Sequence, residues 1–103
     1  MIKITQNAVN AFIQGQNFKS SNTEVKVLPN VTVMSLHGNE IDYKYNDPEN
    51  IISITNAGWE SNTTKERLNG IPGLSISQRK GVWYLNGNVW EGSLIDISKP
   101  VKP

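Results

Sequence analysis

The stretch Ile54-Thr55-Asn56-Ala57-Gly58-Trp59-Glu60-Ser61-Asn62-Thr63-Thr64-Lys65-Glu66-Arg67-Leu68-Asn69-Gly70-Ile71-Pro72-Gly73 decides the fold class, because it places one short helix between two runs of strands. Asn56, Ala57 and Gly58 permit a bend, and Trp59 offers a large apolar body just before the helix. Ser61, Asn62 and Thr63 are each competent N-caps. With Thr63 as the cap, Glu66 stands at the N3 position of a capping box. Asn69-Gly70 signals the helix end, and Pro72 forbids continuation. This spacing predicts a helix of about two turns with Leu68 facing inward and Lys65 and Arg67 on the solvent side.

Before this helix the pattern has a period of two. Ile51 to Thr55 reads as a strand, preceded by the strong turn signal Asn46-Asp47-Pro48-Glu49. Ile41, Tyr43 and Tyr45 alternate with Glu40, Asp42 and Lys44. That pattern predicts one apolar and one solvated face. Gly38-Asn39 turns into this strand from Val31–Leu36, and Pro29-Asn30 turns into that one from a strand containing Val25 and Val27. Further back, Ala8, Val9, Phe12 and Ile13 form one apolar stripe. They predict a short helix capped by Thr5, ended at Gly15 and packed on the sheet.

After the central helix, Leu74, Ile76 and Gln78 alternate with Ser75, Ser77 and Arg79. Arg79-Lys80-Gly81 turns into Val82–Leu85. Asn86-Gly87 carries the strongest hairpin signal in the chain, since both residues tolerate positive φ. Leu94, Ile95 and Ile97 are suited to a last edge strand. The expected fold is therefore α+β: a short N-terminal helix, an antiparallel meander of about four strands, a second short helix, then a two- or three-stranded hairpin or meander. Residues 1–97 form one domain in this reading, and 98–103 a flexible basic tail containing two prolines.

Composition narrows the chemistry. At 103 residues and 11.5 kDa the chain has room for one core, and 37% hydrophobic content with a mean hydropathy of −0.42 makes that core compact. The large side chains that must build it are Trp59, Trp83, Trp90, Phe12, Phe18 and the tyrosines. Cysteine is absent, which excludes disulfides, thiol nucleophiles and cysteine-held metals. The net charge of +1 is too small to argue for nonspecific attraction to nucleic acid or membrane. Its distribution is uneven: residues 36–62 are acidic, while 63–103 carry Lys65, Arg67, Arg79, Lys80, Lys99 and Lys102 against three carboxylates. No apolar run approaches the roughly 20 residues that cross a bilayer, and no signal-peptide pattern opens the chain.

Catalytic signals are weak. His37, the single histidine, precedes Gly38 in a turn and has no serine or aspartate constellation around it. Glu40, Asp42, Asp47 and Glu49 lack the spacing of a calcium loop, and alternation reads Glu40 and Asp42 as a solvated face. No phosphate-binding glycine loop is present. The expectation is a protein without catalytic, metal or cofactor residues. Interleaved basic and aromatic residues point instead to a binding surface made of Trp59, Lys65, Arg67, Arg79, Lys80 and Tyr84. Such a set suits a protein partner, with aromatics as anchors and cations at the rim, or stacking on exposed bases of a single strand.

The run Gly58 to Gly70, with Trp59 followed by Thr63-Thr64-Lys65-Glu66-Arg67-Leu68-Asn69, resembles a segment of small, mostly uncharacterised bacteriophage-encoded proteins. The Trp83-Tyr84 pair, Ile4–Phe12 and Ser21–Val25 are similar to the same group, while Tyr45–Asn50 departs from it. The resemblance implies a viral origin and a non-structural accessory role in the cytoplasm of an infected bacterium. The expected partner is a host or defence protein, the alternative is single-stranded nucleic acid, and no membrane is involved. An edge strand also leaves homodimerisation open.

Overall fold

A computed structural model describes residues 3–45, 51–58 and 61–97. Along the chain the elements run α1 (Lys3–Gln14), β1 (Phe18–Ser20), β2 (Thr23–Val27), β3 (Val31–Leu36), β4 (Asn39–Tyr45), β5 (Ile52–Ile54), α2 (Asn62–Asn69), β6 (Ile76–Arg79), β7 (Val82–Leu85), β8 (Asn88–Val89) and β9 (Ile95–Ile97). The chain is α+β, with an antiparallel six-stranded sheet in the order β1-β2-β3-β4-β5-β9 and a three-stranded sheet β6-β7-β8. The expected tail, the Asn46–Asn50 turn and Trp59 lie outside the described residues.

Helix α1 starts earlier than its sequence signals suggest. Thr5 is no cap but a fully buried residue on the inner stripe with Ala8, Val9, Ala11 and Phe12, whereas Ile13 turns partly to solvent. The helix ends at Gly15, whose φ of 72° lets Gln16 N–H reach back to Ala11 O, the longer bond of a Schellman cap. The stripe covers β1, β2 and β3.

The large sheet contains the expected meander and extends it at both sides. β1 is a three-residue strand that carries too little pattern to be read alone; it forms because Ser21 accepts a φ of 54° and folds Phe18–Ser20 back onto Thr23–Val25. At the other side β9, expected as an edge strand, returns to pair with β5 and so ties the end of the domain to its middle.

One strand does not follow its own alternation. The β3–β4 ladder pairs Leu36 with Asn39 and Ser35 with Glu40, then shifts and pairs Met34 with Asp42. Ile41 is the extra residue of a β-bulge, and beyond it every side chain changes face. Asp42, read as solvated, is buried between the core residues Met34 and Ile54, while Tyr43 and Tyr45 lie on the opposite face with Val33 and Val31. There the two rings stack at 6.4 Å, and the Tyr43 hydroxyl donates to Glu40. Burial first, then Glu40, push the Tyr43 pKa up to about 12.

Helix α2 sits where α1, β4 and β6 meet, and α1 and α2 cross at Gly70. Ser61, not Thr63, is its N-cap: the Ser61 hydroxyl accepts from Thr64 N–H at 3.1 Å, so the Thr63–Glu66 capping box is not formed. In the small sheet Asn86 and Gly87 both take positive φ, as the type I′ hairpin requires, and Lys80 and Gly81 do the same in the preceding turn. Phe12, Met34, Ile41, Ile54, Leu68, Ile71, Trp83 and Trp90 fill the core, joining both sheets and both helices in one cluster.

Candidate partner-binding surface

Of the five candidate residues that the structure describes, Arg67 is the one it removes from the surface. It is only 4% exposed, because α2 turns it toward the β1–β2 end of the large sheet. Its Nε donates to Thr23 Oγ1 at 3.0 Å, its Nη1 to Thr5 Oγ1 at 2.5 Å and its Nη2 to Asn22 Oδ1 at 3.5 Å. Burial lowers the guanidinium pKa, which Glu66 opposes by its charge. The planar fork explains the choice of arginine: three donors in fixed directions reach one helix and one turn at once. The expectation of a solvent-facing Arg67 is corrected, since its partners stand 44 and 62 residues away and leave no local trace.

The neighbouring residues are structural in the same sense. Thr64 is buried and bonds Ser61, and Leu68 is fully buried, a burial that contributes about 2–3 kcal/mol. Asn69 holds the start of the small sheet by two hydrogen bonds to the Ile76 backbone. Thr64, Arg67, Leu68 and Asn69 thus connect α1, β2, α2 and β6. Asn22 and Thr23 are site-forming residues that the sequence reading did not assign to the site, and Thr5 and Asn69 were read there only as helix-end signals.

The remaining candidates gather around the small sheet but on different faces. Lys65 extends from α2 over the inner face, with Nζ 5.7 Å from the Trp83 ring centroid and 2.5 Å from Gln78 Oε1. Trp83 is buried and packs at 6.2 Å from Trp90, and its Nε1 has no hydrogen-bond partner among the described residues. On the outer face Arg79 lies 5.6 Å from the Tyr84 ring. Tyr84 is the register partner of Val89, and Arg79 of Val82; these valines are 69% and 40% exposed. Lys80 projects from the turn between the strands. The outer face therefore holds an aromatic ring, two exposed aliphatic side chains and Arg79, with Lys80 exposed in the adjoining turn, while Trp59 lies outside the described residues.

His37 occupies the β3–β4 turn with a φ of 53° and is exposed, 3.4 Å from the Asn22 amide nitrogen. It borders an open, polar cleft of about 300 Å³ between the two turns, with Lys19, Asn22, Glu24 and Ser35 on its walls. Among the described residues no three His, Cys, Asp or Glu side chains come together to hold a metal ion. No helix among them is long and apolar enough to cross a membrane.

This α+β chain, whose α2 residues join both helices to both sheets, is a phage-encoded protein, as its family match shows. The chain is a member of the Kyanoviridae Gp96 protein family, whose model matches residues 1–96. Among curated proteins and among solved structures none matches it.

Proposed function

We propose that this phage protein is a non-enzymatic accessory protein that acts in the cytoplasm of the infected bacterium by binding a host or defence protein and occluding a surface on it. The observation that carries this reading is the outer face of the small sheet. There Tyr84 lies beside the exposed Val82 and Val89, and Arg79 and Lys80 supply a cationic rim. A half-buried aromatic ring beside exposed aliphatic groups, rimmed by cations, has the usual ingredients of a protein-binding hot spot. Lys65, held over Trp83, belongs to the opposite face and acts by packing.

The test is capture from host lysate on tagged protein, comparing the natural chain with Tyr84→Ala and with Val89→Asp. A protein retained by the natural chain and lost from both variants supports the reading. Recovery of the same proteins by all three rejects this face. Single-stranded nucleic acid is the second reading, and it draws on the same Arg79–Tyr84 pair as a stacking platform. It predicts gel shifts that weaken steeply with salt and disappear in Arg79→Ala. Absence of any shift at low salt removes it.

A further inference from the structure

The sequence of β4 is patterned for one register, and the structure holds another. From the turn, the ladder runs Leu36↔Asn39 and Ser35↔Glu40 before the bulge intervenes. Continued without a bulge, the same ladder pairs Met34 with Ile41, Val33 with Asp42, Thr32 with Tyr43 and Val31 with Lys44. That register puts Ile41 and Tyr43 on the core face and Asp42 and Lys44 on the outer face, as the alternation of the strand asks. On the other side of β4 it sets Ile41 beside Ile54 and Asp42 beside Ser53, so both neighbouring strands accept it in place.

The bulged register carries visible defects. Asp42 is 0% exposed, and neither carboxyl oxygen has a hydrogen-bond partner among the described residues. Thr32 Oγ1, on the same sheet face two ladder rows away, is buried and equally without one. Two tyrosines stand on the outer face, where the rings stack and the Tyr43 hydroxyl donates to Glu40. The bulge-free register relieves the carboxyl and forfeits the outward tyrosine stack and the Tyr43–Glu40 bond. Each arrangement lacks something the other has, which is the condition for two packings of close free energy.

We infer that residues 41–45 slip by one position between β3 and β5, so that β4 is a two-state strand that shows or hides the Tyr43–Tyr45 pair. The bulge is the stored residue that the slip consumes. This device rests on the large sheet and is independent of the small-sheet surface.

Cysteine pairs report the register directly, because the natural chain has none. Val33→Cys with Tyr43→Cys joins register partners of the bulged state. Thr32→Cys with Tyr43→Cys joins side chains that there point to opposite faces, and closes only after the slip. In a thiol–disulfide buffer the first pair is expected to oxidise readily and the second more slowly. Adding Asp42→Leu, which favours the bulged state by filling the core position, should slow the second pair by more than about tenfold and leave the first unchanged. A second pair that stays reduced while the first closes overturns the inference. So does a second pair whose rate ignores Asp42→Leu. If neither pair closes, relaxation dispersion at the amides of residues 40–45 decides: exchange quenched by Asp42→Leu supports the slip, and flat profiles overturn it.

Discussion

The side-chain amide of Asn69 satisfies both backbone groups of Ile76: Nδ2 donates to Ile76 O at 3.0 Å, and Ile76 N–H donates to Oδ1 at 2.6 Å. The last residue of α2 thereby takes the place of a neighbouring strand at the start of β6. The small sheet is fastened to the helix by hydrogen bonds as well as by Ile76, Trp83 and Leu85 in the shared core. Asn69→Ala leaves both Ile76 groups unpaired at a part-buried position. Its expected cost is about 2 kcal/mol, seen as a fall in melting temperature on the order of 10 °C. Asn69→Asp keeps the acceptor alone and should fall short of the natural stability; thermal unfolding followed by circular dichroism checks both.

Arg67 is predicted to act through stability. Removing its fork in Arg67→Ala strands the hydroxyls of Thr5 and Thr23 and opens a void between α1 and β2. The expected loss is about 3 kcal/mol in urea unfolding. Arg67→Lys retains the charge but cannot reach three acceptors, and should recover less than half of that loss. An Arg67→Ala variant as stable as the natural chain would contradict the burial described here.

Asp42 predicts the direction of a pH dependence. Burial raises its carboxyl well above the ordinary range, so the folded state keeps the proton to higher pH than the unfolded state does. Its contribution is therefore most favourable below the unfolded value of about 4, and is lost as pH rises from there through the folded pKa. Asp42→Leu removes this dependence. The stability difference between Asp42→Leu and the natural chain should grow in favour of leucine from pH 4 to pH 7.5. Parallel urea titrations at the two pH values measure it, and a constant difference would refute the assignment.

Gly70, at the end of α2, packs directly against α1. A Cβ there would meet Val9 Cγ2 at 2.6 Å and Thr5 Cγ2 at 2.9 Å, although a backbone φ of −72° suits any residue. Gly70→Ala should therefore cost about 1–3 kcal/mol by forcing α1 and α2 apart. Val9→Ala, destabilising alone, should be less so in the Gly70→Ala background. A double-mutant cycle with no coupling would place the strain elsewhere.

Much of this architecture is legible along the chain, because its causes are local. Gly15, Lys80-Gly81 and Asn86-Gly87 end a helix or reverse strands through the positive φ that those residues accept, whereas Gly70 caps α2 in an ordinary helical conformation. Period-two patterning then separates the strands of the meander, and the α+β class follows from their order. The candidate surface was legible only in part. Arg79 and Tyr84 meet on one face because the tight turn that carries Lys80 brings their strands together. Lys65 is assigned to the other face by its helix, over a tryptophan that no local rule places beneath it.

What the sequence by itself determined is where α1 ends and where most strands turn, since tolerance of positive φ is a property of two or three consecutive residues. Only the tertiary structure decided that Arg67 is buried, that β9 pairs with β5, and that Asp42 rather than Tyr43 faces the core. Arg67 is drawn inward by hydroxyls supplied by α1 and β2, and β9 is seated by a strand some forty residues earlier in the chain. The orientation of β4 turns on one extra residue at Ile41, and its sequence pattern is satisfied by the other register. The choice between them belongs to the packing of Met34 and Ile54 on either side.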